Sequence, residues 1–203
     1  MEKNLILGYT PFIVSPEKIN ESMAKNSGKL IVSGILQRAD APNQNRRIYP
    51  KRILEREAKK YTETFINEKR ALGELDHPES STVNLNNVSH NILEMYWIDN
   101  ELHGKVEILG TPSGNILKEL LKSGITLGIS SRGVGSVKEV KAEGTGDSCN
   151  EIQDDFELIG FDFVSNPSTH GAFQRLAEGK IHKESKNRTV DLLITDIISD
   201  LSK

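Results

Sequence analysis

Residues 125–140 read ITLGISSRGVGSVKEV, and the alternation inside this stretch decides the fold class. Successive side chains of an extended chain point to opposite sides, so Leu127, Ile129 and Ser131 share one face while Gly128, Ser130 and Arg132 share the other. The apolar pair marks the core face. Ser130 is therefore expected to be the more accessible of the two adjacent hydroxyls, with glycines at 128, 133 and 135 leaving room for another main chain to approach. A second stretch, FELIGFDFVSNPS at 156–168, has the same character. Ile159, Phe161 and Phe163 form its apolar face, and Gly160, Asp162 and Val164 point the other way.

Working outward, KLIVSGIL at 29–36 reads as a buried strand ending in the loop RADAPNQN. Pro50 opens a helix in which Ile53, Leu54, Ala58, Tyr61 and Phe65 recur at helical spacing to about residue 69. ALGELDHPES at 71–80 is extended and stopped by Pro78. NILEMYWIDNELHGKVEIL at 91–109 reads as two strands turning at Asp99-Asn100. Thr111 and Pro112 supply a cap and a first-turn proline for a second helix, ended by Gly124. Strands dominate, with two helices and Gly-rich turns. The expected class is α+β, a mostly antiparallel, barrel-like sheet flanked by helices.

The chain has 203 residues, which fits one domain with arms. Residues 1–28 read as an N-terminal arm and 29–175 as the domain. Residues 176–203 combine a charged linker, KIHKESKNR, with TVDLLITDIISDLSK, whose Leu193, Ile194, Ile197, Ile198 and Leu201 fall on one helical face. That tail is open to three readings: a helix docked on the domain, a removable segment, or a partner-binding helix. With 26 Lys+Arg against 29 Asp+Glu the net charge is -3, so no global field points to nucleic acid or membrane as a partner. The lone Cys149, in the polar stretch AEGTGDSCNE, reads as exposed loop and cannot form an internal disulfide. No apolar run approaches the ~20 residues of a membrane span and no signal peptide is evident, so the protein is expected in the cytoplasm or inside a particle built there.

Three residues could carry chemistry. Ser130 offers a nucleophile flanked by glycines whose neighbourhood exposes main-chain amides, though Gly-Ser segments also serve simply as turns. The spacing G-x-S-S-R-G is not that of a nucleophile elbow, and no Lys-Ser/Thr follows as in a phosphate-binding loop. His77, in GELDHP, sits against a rigid proline turn that could orient it as a base; a surface histidine bonded within the turn is the competing reading. His90, His103, His170 and His182 read as solvated, and their spacings match no metal signature, so no metal is expected. Asp162, between Phe161 and Phe163, is either a surface carboxylate or the acid that orients a histidine.

Three blocks in order carry a resemblance: N-x-N-R-R-I-Y-P-K-R-I-L at 43–54, A-L-G-E-L-D-H-P at 71–78 and G-I-S-S-R-G-V-G-S at 128–136. Together they resemble the prohead core proteases of T-even-like bacteriophages, over roughly residues 29–168. The resemblance implies a serine endopeptidase with a fold related to herpesvirus assemblin, a β-barrel flanked by helices. It maps the catalytic serine and histidine onto Ser130 and His77 and nominates Asp162 as the third member, with Asp76 and Glu74 as rivals. Backbone amides near Arg132 and Gly133 would hold the oxyanion, and no cofactor is required. The implied substrates are phage scaffold and major capsid proteins, cut inside the prohead as it matures in the host bacterial cytoplasm. A homo-oligomer in the prohead core is possible under the same likeness, with no membrane or direct nucleic-acid partner. Relatives cut after Glu in Ile/Leu-x-Glu, which implies a cationic subsite drawn from Arg132, Arg46, Arg47, Lys51 and Arg52. It also points to self-cleavage after Glu21 and Glu178, which lie at the edges of the expected domain. The rival from another class is an inactive scaffold protein with the same fold.

Overall fold

The computed structural model describes residues 4–76, 80–141, 146 and 148–165. The fold is mixed α+β, built mostly of strands. The chain opens with β1 (Asn4–Phe12), helix α1 (Pro16–Lys25) and β2 (Leu30–Arg38). Then come β3 (Arg47–Ile48), α2 (Lys51–Tyr61) with a π-helical turn over Thr62–Ile66, and β4 (Leu72–Glu74). β5 (Val88–Ile98) and β6 (Glu101–Ile108) form a hairpin, followed by α3 (Pro112–Lys122), β7 (Leu127–Gly135), β8 (Val137–Lys141), β9 (Ser148–Ile152) and β10 (Glu157–Val164).

The local signals act as expected. Asp99 takes φ +51° at the β5–β6 turn, Gly124 takes φ +72° after α3, and Thr111 accepts a hydrogen bond from the Gly114 amide at 3.0 Å. The strands form three sheets, ordered β1-β7-β10, β2-β6-β5-β4 and β3-β9-β8. A parallel bridge between Leu75 and Phe163 links the first two. On the other side β1 leans on β2: a Cβ on Gly34 would lie 2.5 Å from the Phe12 ring, so only glycine lets that ring in. Phe12 in turn meets Phe163 edge to face at 5.1 Å between centroids, an arrangement worth about 0.5–1.5 kcal/mol beyond the area it buries.

Two expectations need correction. Residues 4–25 are not an arm: β1 pairs with β7 along its whole length, Asn4 opposite Gly135 through Phe12 opposite Leu127, and Ile6, Phe12 and Ile19 belong to the core. Pro11 lies on β1 opposite Gly128, and the polar residues 20–25 belong to α1, which Ser15 caps ahead of Pro16. Cys149 is not in an exposed loop either. It lies on β9 and is buried, because β8 and β9 pair across what the composition marked as loop. The expected linker and tail, 176–203, lie outside the described residues, as do His170 and His182.

Candidate active site

β7 is the middle strand of its sheet, with β1 on one side and β10 on the other. Ser130 stands opposite Tyr9 on β1 and opposite Asp162 on β10. Residues directly opposite on antiparallel strands project from the same face, so these three side chains form a row across the sheet. The partition read from alternation is the one the sheet adopts: Ser131, on the other face, accepts a hydrogen bond from Gln37 Nε2 at 2.9 Å.

The expected exposure is not observed. Ser130 and Asp162 are both 0% exposed, as is Arg132, because the sheet is covered on both faces. One cover on the Ser130 side is the Tyr9 ring, which occupies the space over Gly128; a Cβ there would lie 1.8 Å from it. Among the described residues, Ser130 Oγ is buried without a hydrogen-bond partner.

Arg132, two residues along the same face, organises the rest. Its Nη2 donates to Asp162 Oδ1 at 3.1 Å, and its Nη1 donates to Glu74 Oε1 at 3.2 Å and to the Ser80 carbonyl at 3.0 Å. Nε lies 3.1 Å from Asp162 Oδ2 but off the line of a hydrogen bond, so the pair attracts by charge while Oδ2 has no well-aligned donor among the described residues. Oδ1 also accepts from the Glu74 amide at 3.0 Å. Burial pushes the Asp162 carboxyl up to about 6, against the lowering pull of Arg132 and the Glu74 amide.

His77 lies outside the described residues, but the chain on both sides of it is tied to this cluster. Before it, the Asp76 amide donates to the Phe163 carbonyl at 2.7 Å, next to Asp162 in β10. After it, Ser80 is held by Arg132. Of the rival acids, Glu74 is spent on Arg132 and on the Asn84 amide, 3.0 Å from its Oε1, and Asp76 is exposed at φ +75°.

Several assignments change. Arg132 is buried and paired with Glu74 and Asp162, so in this conformation its charge faces acids of its own chain. Arg47 donates to the Leu7 carbonyl, Arg52 pairs with Asp154, and Lys51 binds the Asp99 carbonyl and Asn100 beside the Trp97 ring. Arg46 is exposed, in the turn before β3. The residues of the proposed oxyanion pair, Arg132 and Gly133, stand opposite Leu7 and Ile6 on β1 and opposite Gly160 and Leu158 on β10. The bulge between Leu158 and Gly160 breaks the register directly opposite them. Glu21 sits within α1, paired with Lys25, and a cut after it would interrupt that helix and leave β1 joined to the rest of the chain only by its pairing and packing. Glu178 lies outside the described residues.

His90 is the buried histidine that sequence reading placed in solvent. It is 0% exposed on β5; one ring nitrogen lies 2.9 Å from Ser89 Oγ, and Nε2 lies 3.0 Å from the Phe161 carbonyl, which accepts its proton. Burial holds its pKa down to about 3, so the ring is neutral. A signal existed: Val88, His90 and Ile92 share one face of the strand, and both neighbours are core residues. Among the described residues no cluster of His, Cys, Asp and Glu could hold a metal ion, and no helix is long and apolar enough to cross a membrane.

The comparisons with known proteins define the class. The capsid assembly protease of bacteriophage T4 superposes with a TM-score of 0.68 at 28% identity, covering 82% of this chain and 100% of that one. The prohead core protein protease of Enterobacteria phage T4 is 33% identical over 147 residues, 71% of this chain and 67% of the relative. The chain is thus a serine peptidase of the phage-assembly type. More particularly, residues 6–185 match the prohead core protein serine proteases, and the chain belongs to that family.

Proposed function

We propose that the chain is the endopeptidase of a phage prohead that cleaves scaffold and capsid proteins, using Ser130 as nucleophile, His77 as base and Asp162 as the acid that orients it. One observation carries this assignment. Ser130 Oγ and Asp162 Oδ2, on directly paired residues of one sheet face, are buried polar atoms with no well-formed hydrogen bond among the described residues, and both flanks of His77 are fastened beside them. Native proteins rarely leave such atoms unpaired, and an imidazole able to reach both would satisfy them.

In the reaction, Ser130 Oγ attacks the scissile carbonyl as its proton passes to His77. The imidazolium, stabilised by Asp162, protonates the leaving amine, and water activated by His77 then releases the acyl group. Amides at Arg132 and Gly133 are our candidates for the oxyanion donors, supported by the bulge that disturbs the ladder opposite them. Ser130 is fully enclosed in this conformation, so a substrate reaches it only after the cover over the sheet face opens. Cleavage after Glu, self-cleavage after Glu178, residence in the prohead interior and self-association there belong to the same proposal, with exposed Arg46 as the cation for a substrate glutamate. The barrel form is supported by the Leu75–Phe163 bridge on one side and the β1–β2 contact on the other.

Ser130→Ala tests the assignment. Scaffold cleavage should disappear while the circular dichroism spectrum and melting behaviour stay those of the wild type. An Ala variant that cleaves normally refutes it, and a wild-type chain that never cleaves scaffold favours an inactive assembly protein.

A further inference from the structure

We infer that the Arg132 side chain is a positioning residue of the protease, holding the acid of the site and the chain on both sides of its base to one side chain. The inference rests on the Ser130–His77–Asp162 assignment and assigns the guanidinium a function distinct from substrate recognition.

The geometry is that of a clamp. One fully buried guanidinium reaches Asp162 Oδ1, Glu74 Oε1 and the Ser80 carbonyl. Glu74 closes the ring, its amide donating to Asp162 Oδ1, and extends it, its Oε1 accepting from the Asn84 amide. Residues 74, 80 and 84 are therefore all referred to one side chain on the nucleophile strand. Arg132 shares its face with Ser130 at a separation of two residues, roughly 7 Å along a strand. The strand of Ser130, Asp162 and the residues flanking His77 thus share one mechanical reference.

Charge gives the guanidinium a second effect. Two carboxylates, Glu74 at 1% exposure and Asp162 at 0%, face a single cation. Charges taken out of water require a partner, and removing it leaves them uncompensated. Arginine is suited to this because its planar fork serves several acceptors at once, whereas a lysine supplies the charge at a single point. A residue with this role affects turnover through geometry and through the ionisation of Asp162, and leaves substrate affinity nearly untouched.

The test compares full-length wild type, Arg132→Lys and Arg132→Met, with the double variant Arg132→Met/Glu74→Gln to relieve the uncompensated acid if the single variant fails to fold. Initial rates of scaffold cleavage are measured against scaffold concentration and pH, under conditions in which the wild type cleaves. The neutral variants should lose about 100-fold or more in kcat with KM within a few-fold, and the acid limb of their pH profile should move upward by about one unit as Asp162 loses its counter-charge. Arg132→Lys should keep the wild-type limb but lose at least about 10-fold in kcat, because the fork is gone. Folded neutral variants with wild-type kcat and an unshifted limb overturn the inference, as does a loss confined to KM. If Ser130→Ala cleaves normally, the site assignment itself has failed; if it is dead while the Arg132 variants are normal, only this inference falls.

Discussion

Two buried groups with opposite pKa shifts give the most searching test of the packing around the site. His90 is held down to about 3 from an ordinary 6.5, and Asp162 is raised to about 6 from 3.8. The unfolded chain binds a proton at His90 that the folded chain refuses, so this contribution is present above pH 6.5 and is lost as pH falls toward 3. At Asp162 the folded chain binds the extra proton, so stability increases as pH falls through 6 toward 3.8. Between pH 7 and pH 5 the His90 contribution falls by about 2 kcal/mol and the Asp162 contribution rises by about 1 kcal/mol. The perturbation is therefore a pair of variants, His90→Gln, which keeps an amide donor for the Phe161 carbonyl, and Asp162→Asn. Urea unfolding at pH 7 and pH 5, expressed as each variant's change minus the wild type's, cancels all other titrating groups. His90→Gln should gain about 2 kcal/mol relative to wild type over that interval, and Asp162→Asn should lose about 1 kcal/mol. Differences of the same sign, or none, would mean that His90 and Asp162 are not both enclosed as described. Absolute stability is not the quantity read, so any packing cost of either substitution drops out.

Further outcomes follow from single contacts. Gly128→Ala should cost roughly 1–3 kcal/mol by driving a methyl into the Tyr9 ring, and Tyr9→Leu in the same chain should recover part of it, as a double-mutant cycle in urea would reveal. Thr111→Ala should cost about 1–2 kcal/mol in the same assay, since its hydroxyl both caps α3 and donates to the Val88 carbonyl. Deleting residues 1–21 should abolish the cooperative unfolding transition, because β7 loses its β1 partner; a truncated chain that melts cooperatively and cleaves scaffold would show that β1 is dispensable.

The sequence made much of the local structure legible because the deciding signals are local. The helix caps at Thr111 and Pro112, the turn at Asp99-Asn100 and the strand alternation at 127–132 depend on neighbours within a few residues, and each holds in the fold. What was illegible depends on distant chain. The N-terminal segment looks like an arm until β7 is seen to need a partner on that edge, and Cys149 looks exposed until β8 folds onto β9. Buried polar residues show the same division. Glu57 lies on the apolar side of α2 between Leu54 and Tyr61, which hints at burial, but its partner, the Leu158 amide at 3.1 Å, is about a hundred residues away in the chain.

The site itself shows how far alternation can go. Period-two patterning tells which residues share a face, and it grouped Ser130 with Arg132 and Asp162 with Gly160, as the register of β7 and β10 requires. It does not tell whether a face is wet. That depends on what packs above it, here Tyr9 from one end of the described chain and Glu74 from another sheet. The consequence is chemical. An arginine on a solvated face would be free to bind a substrate carboxylate, whereas the same arginine sealed between Glu74 and Asp162 serves the acids of its own chain. Burial, and not residue type, sets Arg132 against Glu74 and Asp162, and on that the positioning role inferred for it rests.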